Sequence, residues 1–76
     1  MTNIETLQEL IRDLQALDDE DARAFLGEMR KMEGAFGKAT EGHPFTEELR
    51  LHLRNGIHGS ALQTARRILA DLKDVK

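Results

Sequence analysis

The chain has 76 residues, of which 39% are hydrophobic and 33% charged, with a net charge of −3 at pH 7. This length predicts one small domain over residues 1–76, and the apolar content excludes a disordered tail. The negative balance excludes a basic surface over the whole chain that would hold nucleic acid or an anionic membrane. Because the sequence has no cysteine, it also excludes disulfides, thiolate zinc sites and cysteine nucleophiles.

The apolar residues are dispersed along the chain. No apolar run exceeds three residues, as at 24–26 and 68–70, so the sequence shows neither a signal-peptide core nor a membrane span. We therefore expect a cytoplasmic protein with no membrane partner. A small core without disulfides gains buried area most readily by self-association, so we also expect a homo-oligomer, most simply a dimer.

The first helix is predicted at about 3–17, where apolar residues recur at steps of three and four positions. Thr2 and Glu5 have the spacing of a capping box at its start. The acidic run 18–21 follows and would begin a second helix, with Asp18 or Asp19 as its N-cap. The short connection predicts an antiparallel helical hairpin over about 3–36.

The second half of the chain predicts a shorter helical pair over about 46–74. Residues 37–44 contain two glycines and the single proline, so we predict the main loop there. A third helix would begin at Thr46 and end at Asn55–Gly56, with Leu49, Leu53 and Phe45 facing inward. A fourth is expected at about 60–74, with a capping-box spacing at Ser60 and Gln63. The predicted fold class is therefore all-α: a small bundle made of the hairpin and the shorter helix-turn-helix pair, completed by self-association.

The second helix carries the most informative pattern for binding. Its apolar positions include what we call the Phe/Met stripe, which consists of Phe25, Met29, Met32 and Phe36. Methionine is frequent on surfaces that accept more than one partner, so the stripe is a candidate partner-binding surface. The alternative is that it forms part of the core. Residues 1–41 hold five Lys/Arg against ten Asp/Glu, so this half of the chain is acidic.

The stretch from Leu51 to Ala65 has a glycine in a turn between two predicted helices. It resembles the helix-turn-helix motif, with Gly56 in the turn. The resemblance implies that the second helix presents Gln63, Thr64, Arg66 and Arg67 to a DNA major groove. The alternative is an ordinary helix–turn–helix corner on which Arg66 and Arg67 are solvated.

The sequence offers little for metal or catalytic chemistry. The histidines are His43, His52 and His58, and only Glu48 with His52 has a helical i,i+4 spacing, which favours an ion pair over a metal site. The motifs of serine hydrolases, phosphate-binding loops and zinc proteases are absent from the sequence. We therefore predict a non-enzymatic protein without metal or cofactor that binds another protein, as an accessory subunit, an anti-activator or antitoxin, or a phage-type inhibitor. The alternative is a small DNA-binding transcriptional regulator that uses residues 46–73.

Overall fold

A computed structural model describes residues 3–17 and 26–74. These residues form four helices, α1 (Asn3–Gln15), α2 (Leu26–Ala39), α3 (Thr46–Arg54) and α4 (His58–Asp74), and contain no strand. The all-α prediction is thus confirmed. The predicted capping residue Thr2, the acidic run 18–21 and Phe25 lie outside the described residues.

The helices close into a small bundle. α1 packs against α2 and α4, and α3 packs against the same two helices. The buried core takes apolar residues from all four helices: Leu7, Ile11, Leu14, Met29, Phe36, Ala39, Leu49, Leu53, Ala61, Ala65 and Ile68. The apolar periodicity predicts most of those on α1, α3 and α4, but not Ala61, and some predicted positions, such as Leu62 and Leu69, are only partly buried. Burial of these side chains from four separate helices provides the main favourable free energy of folding.

The predicted loop 37–44 is wrong at its N-terminal end, because α2 continues to Ala39. The backbone N–H of Thr40 still bonds the carbonyl of Phe36 at 3.0 Å, and the Thr40 hydroxyl donates to the same carbonyl at 2.7 Å. Phe36 and Ala39 are both buried in the core. Their burial offsets the low helix propensity of Gly37, which the sequence pattern alone could not show.

The turn between α3 and α4 has the geometry of a Schellman motif. Gly56 has a φ of 71°. Its N–H donates to the carbonyl of Leu53 at 3.3 Å, and the N–H of Ile57 donates to the carbonyl of His52 at 2.9 Å. This confirms the predicted end of α3. The predicted start of α4 at Ser60 is two residues late, because the helix begins at His58 directly after the turn, so Ser60 lies inside the helix and is not its cap.

None of the helices in the described part of the chain is long and apolar enough to cross a bilayer.

Candidate functional site

The Phe/Met stripe lies largely in the core of the bundle. Met29 and Phe36 have no exposed surface, and Met32 is partly buried against the core. Phe25 is outside the described residues. In this fold Met29 and Phe36 are therefore closed to a partner. Their positions agree with the core alternative, and the role of the stripe in binding a partner stays a prediction.

The most exposed large apolar side chain in the described residues is instead on α3. Leu51 is 52% exposed, and Ile57, in the following turn, is 46% exposed. Glu47 and Arg54 lie four residues before and three residues after Leu51, which places all three on one side of the helix. We call these three residues and Glu48 the α3 outer face. A groove of about 290 Å³ follows this face and is lined by Glu47, Glu48, Arg50, Leu51 and Arg54.

A largely buried carboxylate on α2 holds the two arginines of α3. Glu33 Oε1 accepts a hydrogen bond from Arg54 Nε at 2.8 Å, and Glu33 Oε2 accepts one from Arg50 Nη2 at 3.4 Å. Only 17% of the Glu33 side chain is exposed. The Arg54 hydrogen bond holds the pKa of Glu33 below its ordinary value, against the opposing effect of desolvation, and Arg50 adds to the lowering. The same pair raises the pKa of Arg54. Both cations are therefore partly neutralised within the chain.

The four residues of the predicted DNA-contacting surface lie on α4. Gln63, Arg66 and Arg67 are exposed and Thr64 is partly exposed. Gln63, Thr64 and Arg67 line one cleft of about 200 Å³ with Phe45 and Glu48. The Arg67 guanidinium lies 4.9 Å from the centre of the Phe45 ring, within the range of a cation–π contact. The structure thus brings three of the four together in a cleft between the start of α3 and the middle of α4.

The histidines have structural partners. The backbone N–H of Phe45 donates to His43 Nδ1 at 3.1 Å, so we assign the proton to Nε2, which donates to Asp71 at 3.0 Å. His58 Nε2 donates to the carbonyl of Leu14 at 2.6 Å and links α4 to α1. His52 Nε2 lies 3.7 Å from Glu48, as their spacing predicts. Among the described residues, no group of three or more potential ligands could hold a metal ion.

Sequence reasoning missed the roles of Glu33 and Leu51. The 4-3 spacing of Glu47, Leu51 and Arg54 is visible in the sequence and marks a face opposite the buried Leu49 and Leu53. Glu33 carries no such signal, because its partners are 17 and 21 residues away in sequence.

No protein-family model matches the chain, and neither a curated protein nor a solved structure shows a match.

Proposed function

We propose that this chain is a non-enzymatic, cytoplasmic helical module that acts by binding another protein. An accessory subunit, an anti-activator or antitoxin, and a phage-type inhibitor all act in this way. The observation that supports the proposal best is the α3 outer face, where a half-exposed leucine is surrounded by side chains of both charges. Protein interfaces commonly combine an apolar centre with a polar rim.

The pairing of the arginines also favours a protein partner. Arg50 and Arg54 contact Glu33, and Arg50 also lies 3.9 Å from Glu47. Binding to DNA phosphates depends on Lys and Arg side chains that replace the counterions condensed on DNA. Arginines already paired with carboxylates are poorly suited to phosphate binding, because their charge is partly neutralised. On a protein surface, by contrast, mixed charges set the orientation and specificity of docking.

The proposal is tested by capture of proteins from lysate of the source organism with the tagged full chain, after nuclease treatment. We expect a stoichiometric protein with the wild type and its loss with Leu51→Glu. Glu9→Arg, an exposed change on α1, is the control and should retain the partner. Capture that does not depend on Leu51, or no stoichiometric protein at all, would contradict the proposal.

A second candidate function is DNA binding, because α3 and α4 form a helix–turn–helix with Gln63, Arg66 and Arg67 exposed on its second helix. Fluorescence anisotropy with duplex DNA at low salt tests it. This hypothesis predicts binding that weakens steeply with salt and is lost in the double variant Arg66→Ala/Arg67→Ala but retained in Lys73→Ala. Equal binding by the two variants, or none by the wild type, would exclude it.

A further inference from the structure

We propose that the α3 outer face binds the same face of a second copy of this chain, with the two α3 helices antiparallel and related by a two-fold axis at Leu51. The inference rests on the proposed function in that it uses the same face. It names one occupant of that face, and its test needs no other protein. The two proposals can therefore fail independently: self-association is measured on the isolated chain, and partner binding is measured by capture from lysate.

The charges on the α3 outer face are self-complementary in this orientation. Glu47 lies four residues before Leu51 and Arg54 lies three residues after it, so the two are almost equidistant from the centre. An antiparallel copy centred on Leu51 therefore places Glu47 opposite Arg54 of the partner subunit, and symmetry repeats the pair. A parallel copy would place glutamate near glutamate and arginine near arginine, which costs free energy. The charge pattern thus selects the antiparallel pair.

Arg54 is already positioned for this contact. Glu33 accepts from its Nε at 2.8 Å, and Arg30 Nε donates to the Arg54 carbonyl at 3.4 Å. A guanidinium has further N–H donors on its two terminal nitrogens, which can bind a second carboxylate. Because Glu33 restricts the side chain of Arg54, less conformational entropy is lost when the second carboxylate binds.

Glu47 and Leu51 are accessible in the single chain. The Glu47 side chain is 89% exposed, and its contact with Arg50 is long, at 3.9 Å. Leu51 lines the groove and is 52% exposed. Pairing buries Leu51 against Leu51 of the partner subunit. It also replaces the long contact of Glu47 with Arg50 by a contact with Arg54 of the partner subunit. The removal of apolar surface from water favours the dimer, and the charges set its register.

The size of the face limits the strength of the dimer. α3 has 9 residues, so its length is about 13 Å. A contact made mainly by this helix is smaller than the interfaces of stable dimers. We therefore expect reversible association in the upper micromolar range, weakened by salt because the flanking ion pairs are at the surface.

Sedimentation velocity of the full chain, from micromolar to millimolar concentration, tests the inference. The wild type should shift from monomer to dimer. Leu51→Glu and Glu47→Arg should each weaken association by about tenfold or more, since each places like charges opposite one another. Glu9→Arg changes the net charge by the same amount as Glu47→Arg, and it should associate as the wild type does.

Charge exchange between chains tests the register. Arg54→Glu alone should not self-associate, whereas an equimolar mixture with Glu47→Arg should form a heterodimer in which both pairs are restored. Circular dichroism checks that each variant is helical. If Arg54→Glu unfolds, because its new carboxylate would face that of Glu33, Leu51→Glu and Glu47→Arg still decide the question. A wild type that stays monomeric at millimolar concentration, or a dimer unaffected by these two changes, would overturn the inference.

Discussion

The carboxylate of Glu33 on α2 and the guanidinium of Arg54 at the end of α3 are joined by a hydrogen bond of 2.8 Å. The pair joins two helices whose sequences give no local indication of contact. It orients Arg54 on the α3 outer face and lowers the pKa of Glu33, mainly through the hydrogen bond itself. The stability of the α2–α3 contact is therefore linked to pH.

Glu33→Gln should lower Tm at neutral pH, because a neutral amide binds Arg54 and Arg50 less strongly than a carboxylate. The folded-state pKa of Glu33 is lowered from 4.5, so its contribution is complete above that value and is lost as pH falls through the folded pKa. The difference in Tm between wild type and variant should thus shrink in acid. Thermal unfolding of both proteins, from neutral pH down to below the folded-state pKa of Glu33, measures this difference in Tm. A Tm difference between Glu33→Gln and the wild type that is constant with pH would contradict the linkage.

Gly56→Ala should destabilise the fold by about 1–2 kcal/mol, because alanine is strained at positive φ. The residue has a φ of 71°, and a Cβ there would lie 2.8 Å from Leu26 Cδ1, so the leucine must also shift. We expect Tm to fall by roughly 5–15 °C in a thermal unfolding experiment. Gly59→Ala is the control, since an added Cβ at that position meets nothing within 4 Å. Equal Tm values for the two variants would refute the proposed role of the turn.

Gly34→Ala should stabilise the chain by about 1 kcal/mol, because glycine in a helix interior has a higher entropic cost than alanine. Gly34 is within α2, is exposed, and has space for a Cβ with nothing within 4 Å. The reverse change at the neighbouring exposed position, Ala35→Gly, should destabilise by a similar amount. Urea unfolding measures both. A loss of stability in Gly34→Ala would mean that the glycine makes a contact that this fold does not contain.

Met29→Ala should cost about 2–5 kcal/mol, because it opens a cavity in the core. Met29 has no exposed surface, whereas Met32 is only partly buried, so Met32→Ala should cost clearly less. Urea unfolding of the two variants measures the difference. Equal losses of stability would show that the two methionines are in similar environments, contrary to this structure.

Much of the secondary structure follows from local patterns in the sequence. The three- and four-residue periodicity predicts α1, α3 and α4 with most of their buried side chains, and Asn55–Gly56 predicts the end of α3. These features depend on residues close in the chain, whose geometry is set by the helix itself. The contact between Glu48 and His52 was predictable for the same reason.

The sequence alone determined an all-α chain with amphipathic helices, a glycine turn after α3 and a set of charges that excludes a wholly basic surface. Only the tertiary structure decided that α2 extends past Gly37, that Met29 and Phe36 are covered while Leu51 is exposed, and that Glu33 binds Arg50 and Arg54. The physical reason is that periodicity identifies the apolar side of a helix, whereas burial depends on which other helix covers that side. That choice is made by contacts between residues far apart in the chain, whose combined free energy no local pattern contains.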